Sequence, residues 1–259
     1  MYEFVDTIES AKNTPLSLQT IFNGNNLDKL LSDENGRFTT TSVGGRGPIA
    51  KRLITKELPG THGEKEKDYT FEARPIPVEF LIEDKTSEGL RERVNKLNGY
   101  ISGQKKVLSF TDEKAHFIST LESADFPNED SNSFVGTLNF ICTDPLKRKE
   151  YKTLELTPTE KNYEVTGQLP THWKSRTIFT RSQSMFEIES VSGKIKLTYN
   201  FVKGDVLEID SYSRTIKLNN SIDLDVGLSL NSRWFVLKPN YMTLRANHET
   251  TVHYTEKYY

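Results

Sequence analysis

Beyond Pro145 the sequence carries no helical period. Apolar residues come in short runs broken by turn-forming residues, and the runs recur about every 8–12 residues. Strands are expected near 163–167, 172–181, 185–190, 194–201, 206–210, 215–219, 228–230, 234–238, 241–247 and 250–257. Ile195, Leu197 and Tyr199 alternate with Lys194, Lys196 and Thr198, so this strand has one apolar face. A chain segment built this way can bury its apolar residues only by stacking one sheet on another, which predicts a β-sandwich or jelly roll.

The first half mixes signals. Leu18–Phe22 reads as a short strand that turns at Asn23-Gly24, a pair that tolerates the positive φ of a tight hairpin. Gly44-Gly45-Arg46-Gly47-Pro48 lacks the Gly-Lys-Ser/Thr ending of a phosphate-binding loop and is expected to be a flexible connection. Strands near 50–57 and 69–83, with a polar, mixed-charge tip between them, predict one long hairpin arm. In the second strand Ile76, Val78, Phe80 and Ile82 share a face, and Pro75 and Pro77 place it at a sheet edge. Leu90, Val94, Leu97 and Ile101 fall on one helical face, capped by Thr86 or Ser87, with Glu88 in the first turn and Gly99 and Gly103 at the end. Strands resume at 106–110, 116–126 and 134–142. Thr143-Asp144-Pro145 stops the last, and Lys147-Arg148-Lys149 reads as a solvated linker. Two domains follow, 1–145 and 146–259.

Composition removes several function classes. Charged residues make up 27% of the chain, yet the formal net charge is only -2, so no bulk attraction to nucleic acid or anionic lipid is expected. The single cysteine, Cys142, cannot form an intramolecular disulfide. It lies in an apolar strand and reads as a core thiol of a protein made in a reducing cytosol. No apolar run approaches the roughly 18 residues of a membrane span. The acidic start Met1–Asp6 is not a signal peptide, so no membrane anchor and no export signal are expected.

No catalytic constellation emerges. The five histidines, His62, His116, His172, His248 and His253, lack the spacing of a zinc site, and no metal or other cofactor is expected. Carboxylates cluster at Asp205, Glu208, Asp210, Asp223 and Asp225, a set that could serve a glycoside hydrolase, with a register the sequence leaves open. The stronger rival is sugar binding on the second domain. Trp173, Tyr212 and Tyr241, with Trp234 and Tyr199, could line an aromatic platform or fill a sandwich core.

Three stretches carry a family likeness. The first runs from Gly44 to Ile82 and includes Arg74-Pro75-Ile76-Pro77-Val78-Glu79-Phe80. The second contains the helix from Leu90, then Val107–Asp112 and Leu138–Pro145. The third contains Gly193-Lys194-Ile195, Gly204–Asp210, Arg214–Asn219 and Leu237-Lys238-Pro239-Asn240. In this order they resemble the distal tail protein family of long, non-contractile-tailed bacteriophages. The family's last motif usually has glycine after the proline; Asn240 stands there instead.

The resemblance implies a mainly β protein. Its N-terminal domain would be a tail-tube-like β-sandwich with one helix and a hairpin arm, and its C-terminal domain a galectin-like β-sandwich. It implies a structural virion protein of the tail tip rather than an enzyme, assembled in the bacterial cytoplasm. Six copies would form a ring hub that DNA passes through without specific binding. The partners would be the tail tube protein, the tail-associated tip protein and a receptor-binding protein. The arm residues Pro59, Gly60, His62, Gly63, Tyr69 and Phe71 are the expected ring contacts, and Trp173, Tyr212 and Tyr241 the expected sugar or partner contacts.

Overall fold

A computed structural model describes residues 18–60, 62–128 and 131–259, so the reading of Met1–Asp6 lies outside the described residues. The chain divides into two compact units between Pro145 and Leu146.

The first unit contains β1 (Thr20–Phe22), β2 (Asn25–Asn26), α1 (Leu27–Leu30), β3 (Gly36–Val43), β4 (Lys51–Glu57), β5 (Glu64–Phe71), β6 (Arg74–Asp84), α2 (Ser87–Tyr100), β7 (Lys106–Phe110), β8 (His116–Asp125) and β9 (Ser133–Cys142). β1 turns into β2 through Asn23 (φ 51°) and Gly24 (φ 82°), as the Asn-Gly pair predicts. β3, β6, β9 and β8 form one antiparallel sheet, and β8, β7, β1 and β2 another. β8 serves both: His116–Ser119 pairs with β7, and Thr120–Asp125 pairs with β9. β1 and β3, near the two ends of this strand order, meet through Asp28. One of its carboxylate oxygens accepts from the Thr20 amide (2.9 Å) and the Thr40 hydroxyl (2.8 Å), and the other from the Thr40 amide (2.7 Å). The two threonine hydroxyls also touch, at 2.8 Å. Phe22 and Phe140, and Phe38 and Phe80, pack as ring pairs in the enclosed core.

β6 corrects the edge expectation. It is paired on both sides, with β3 over Val78–Asp84 and with β9 over Arg74–Glu83. The prolines are tolerated because the β3 ladder ends at the Val43–Val78 pair. Beyond it the Gly44 amide bonds the Pro77 carbonyl, which puts the N–H that Pro77 lacks, and that of Pro75, on the side where β3 has left. Gly45 (φ +74°) crosses so close to Pro75 that a Cβ would sit 2.0 Å from its carbonyl oxygen. That glycine stretch is thus a tight crossing rather than slack chain.

α2 forms where its apolar spacing predicts, with the Thr86 hydroxyl accepting from the Gly89 amide at 3.0 Å. Gly99 is inside its last turn, and Gly103 (φ +99°) follows it. Its buried face also carries Arg93. That guanidinium donates to the Leu31 carbonyl (2.5 Å), Asp33 (2.9 Å) and Asp84 (2.7 Å), tying the helix to the β2–β3 loop region and the end of β6. Cys142 is fully buried, which pushes its thiol up to about 12.

The second unit contains β10 (Lys147–Leu156), β11 (Lys161–Val165), β12 (Trp173–Ile178), β13 (Gln183–Ser190), β14 (Gly193–Phe201), β15 (Val206–Asp210), β16 (Thr215–Leu218), β17 (Ile222–Asp223), β18 (Asn240–Ala246) and β19 (Thr250–Tyr258). A six-stranded antiparallel sheet runs β17-β16-β15-β12-β19-β10, and a four-stranded one runs β11-β18-β13-β14. Their inward residues make one core, including Trp173, Phe186, Ile195, Leu207, Phe235 and Tyr254. The basic triplet is the start of β10, not a linker. The expected strands at 228–230 and 234–238 are irregular, making isolated bridges at Leu228 and Leu237. Asn240 takes φ 83°, the left-handed conformation that asparagine tolerates best after glycine, so the turn into β18 forms without the family's usual residue.

Candidate assembly interface

The β4–β5 hairpin adds no residue to the core of its own unit. Every residue of β4 is exposed, and in β5 only Phe71 is even half-buried. The arm is shorter than its sequence suggests, because the run read as 69–83 is two strands. β5 ends at Phe71, and β6 begins at Arg74, which is already buried over the Phe117 ring. The Glu72 amide closes the arm's base on the Ala50 carbonyl at 3.0 Å. At the far end Gly60 (φ +81°) and Gly63 (φ +77°) make the turn, with open space where a side chain would lie. Pro59 and His62 are exposed in the same turn.

Register assigns the side chains to two faces. Lys51 pairs with Phe71, Leu53 with Tyr69, Thr55 with Glu66 and Glu57 with Glu64 on one face. Arg52 pairs with Thr70, Ile54 with Asp68 and Lys56 with Lys65 on the other. Lys67 is an extra residue in β5, a bulge opposite the Ile54–Thr55 step. Near the base Tyr69 packs edge-on to Phe71, and the Lys51 ammonium sits 4.1 Å from the Tyr69 ring centre. Leu53 (52% exposed), Ile54 and Leu58 are uncovered apolar side chains that the sequence reading passed over. Their signal was present: three aliphatic residues within 53–58 have no strand of the core to serve.

The other sequence candidates are dispersed. Trp173 is 1% exposed and donates its indole N–H to the Phe235 carbonyl at 3.0 Å, so it is a core residue and not a surface contact. Its place at the inward-facing start of β12 is the physical reason. Trp234 packs against the same core. Tyr212 and Tyr241 are exposed, and Tyr212 lies edge-on to His172. Val226 and Leu230 are fully exposed on the irregular segment after β17.

The carboxylates resolve into separate structural roles. Leu207 and Ile209 face the core, so Glu208 and Asp210 face outward. Glu208 lies 3.6 Å from Arg176, and Asp210 lies 2.9 Å from Lys174. Burial would raise Asp210, but the Lys174 ammonium and the Tyr212 and Ser213 amides outweigh it and hold the carboxyl below its ordinary range. Asp205 accepts from the Val202 amide and the Asn219 side chain across a turn. Asp223 is in β17 and Asp225 in a single 3₁₀ turn. His248 is buried against Phe179, whereas His253 pairs with Thr153 on the outward face, so the two do not converge. Among the described residues no cluster of His, Cys, Asp and Glu is placed to hold a metal, and no helix is long and apolar enough to cross a membrane.

Comparison with known proteins gives this architecture its class. Residues 17–142 match the phage tail protein RIFT-related domain, and residues 166–258 match the C-terminal domain of the siphovirus-type tail component. The chain is 29% identical over 230 residues to the distal tail protein of Bacillus phage SPP1, covering 85% of this chain and 90% of that protein. The crystal structure of SPP1 Dit, described as a paradigm of the hub adsorption apparatus in phages infecting Gram-positive bacteria, has the same fold. Its TM-score is 0.82 at 24% identity, covering 93% of this chain and 99% of that one. The two domains in this order define a siphovirus-type tail component. Within that class, the chain belongs to the distal tail protein (Dit) family.

Proposed function

We propose that this protein is a ring-forming hub at the distal end of a long non-contractile tail. Six copies assemble around the channel that DNA passes through, without sequence-specific contacts to it. The ring joins the tail tube to the tip protein and offers its outer domain, a galectin-like sandwich, to a receptor-binding protein. Assembly takes place in the bacterial cytoplasm, and the protein acts at the tail tip through its interfaces, with no reaction of its own.

One observation carries this reading: a two-stranded arm that no core of its own chain supports. A lone hairpin is marginal in water. This one also exposes Leu53 and Tyr69 on one face and Ile54 on the other, which suits a strand pair that is covered on both faces in an assembly. Its turn residues Pro59, Gly60, His62 and Gly63, with Tyr69 and Phe71 behind them, are the contacts assigned to a neighbouring copy.

The base of the arm makes the test clean. Ala50 and Glu72 are already hydrogen-bonded, so a short Gly-Ser linker can replace residues 51–71 without disturbing β3 or β6. The intact chain should run in light scattering at about six times its 29.7 kDa mass, and the armless chain at the monomer mass with unchanged circular dichroism of its cores. An oligomer that survives loss of the arm refutes the reading.

A further inference from the structure

The arm holds its charges in an arrangement that a free hairpin would avoid. Glu57 lies directly opposite Glu64 on one face, with Glu66 beside them, and Lys56 lies directly opposite Lys65 on the other. None of these five side chains has an ion-pair partner among the described residues. Like charges directly opposite each other destabilise a strand pair. The bulge at Lys67 creates this pattern. Continuing the Ile54–Asp68 register without it would place Lys56 opposite Glu66 and Glu57 opposite Lys65, two attractive pairs. With it, the outer half of the arm is acidic on one face and basic on the other. The inner half adds an apolar strip, Leu53, Tyr69 and Phe71, with Lys51 at its base, to the acidic face, and Arg52, Ile54 and Asp68 to the basic one, so the separation of charge belongs to the outer half.

We propose that these two faces are the two halves of one contact: the acidic face of one arm seats on the basic face of the arm in the next copy. The proposal rests on the ring reading above and names the surface that closes it. A second copy is the occupant because each arm carries both signs at the same distance from its base. Glu57 and Glu64 immediately follow and precede Lys56 and Lys65 on the two strands. Such a contact joins two different surfaces of identical chains. It is therefore head-to-tail, the kind that generates rings. It leaves no like-charge pair unopposed except where a ring fails to close.

Charge reversal tests this in the full-length protein. E57K/E64K/E66K makes both faces basic, and K56E/K65E makes both acidic. Each variant alone should fall to the monomer mass by light scattering in about 0.1 M salt, where screening is moderate. The two mixed in equal amounts should recover the large species, since each basic face then meets an acidic one. The chain carrying all five changes should recover it by itself. Reversed chains that keep the wild-type mass overturn the proposal, and so does a mixture that stays monomeric. If the armless chain is monomeric while the reversals have no effect, the ring reading stands and the arm-on-arm contact fails. If the armless chain still assembles, the ring reading itself fails.

Discussion

Asp28→Ala removes the carboxylate that, with the Thr20–Thr40 hydroxyl contact, joins β1 to β3 in the N-terminal domain. Asp28 accepts three hydrogen bonds, two of them from the backbone amides of Thr20 and Thr40, which are 0% and 5% exposed. A hydrogen bond to a charged acceptor contributes about 1.5–3 kcal/mol, and a buried donor left without an acceptor costs about 1–3 kcal/mol. The Thr20 and Thr40 hydroxyls, 2.8 Å apart, can still satisfy each other. The two amides cannot, and the expected loss is about 3–5 kcal/mol, a large share of a typical domain's stability of about 5–15 kcal/mol. Asp28→Asn keeps one acceptor oxygen but sets an amide N–H₂ where the other accepted, so its loss should be about 1–2 kcal/mol. Urea titration separates the domains, because both tryptophans, Trp173 and Trp234, belong to the second unit. Circular dichroism should show an early transition shifted down by about 1.5–2.5 M urea in Asp28→Ala, using a slope of about 2 kcal/mol/M. The indole-fluorescence transition should not move. A shift below about 0.5 M, or one that moves the indole signal equally, refutes the idea that Asp28 closes the first domain.

Three further outcomes follow from the same contacts. The hydrogen bond from Arg93 holds Asp33 down to about 2 and, with the Thr86 amide, holds Asp84 below its ordinary range. Both folded values are thus below the unfolded value near 3.9. Their stabilisation is complete above about pH 4 and fades as pH falls toward 2. Acid titration by circular dichroism should show that slope in the wild type and lose it in Arg93→Leu. Gly45→Ala should lower the melting temperature far more than Gly60→Ala. Both residues have positive φ, costing about 1–2 kcal/mol with a Cβ, but only at Gly45 would that Cβ strike backbone, 2.0 Å from the Pro75 oxygen. Trp173→Phe strands the Phe235 carbonyl and should cost the second domain about 1–2 kcal/mol, read in urea by the remaining indole of Trp234.

The strands were legible where one face is buried and the other wet. Ile76–Ile82 and Lys194–Leu197 alternate in the sequence and alternate in burial, because a period of two and a single core face are the same constraint, whereas Tyr199, read on the same apolar face, is exposed. What alternation does not report is how many neighbours a strand has. β6 carries two prolines and is still central, since the missing donors fall past the end of β3. β10 was invisible for a related reason. Lys147–Thr153 is polar apart from Tyr151 and puts no apolar side chain in the core, so its pairing with β19, made by backbone bonds and by polar contacts such as Lys149 with Tyr258 and Thr153 with His253, leaves no alternation of apolar residues to read. Trp173 shows the limit for single residues. An aromatic at a strand's first position reads equally as platform or core until its register is known, and the register turns it inward.

The arm was legible as an arm through its turn glycines and its polar tip, yet its sign pattern was not. In the chain, Lys56-Glu57 and Glu64-Lys65-Glu66-Lys67 read as alternating charges, the usual dress of a solvated hairpin. Whether such an alternation yields attractive or repulsive cross-strand pairs depends on parity alone, and a single inserted residue reverses it. Lys67 is that residue. The same lysine that would complete a self-satisfied hairpin in one register leaves it unsatisfied in the other, with Glu57, Glu64 and Glu66 on one face of its outer half and Lys56 and Lys65 on the opposite face. The bulge costs the isolated arm two exposed ion pairs, each worth about 0.2–1 kcal/mol. An assembly recovers more than that if every copy presents both faces. The armless and charge-reversed chains therefore bear on folding as well as on assembly: outside the ring, removing the arm should leave the melting temperature of the N-terminal domain unchanged, because nothing in that core leans on it.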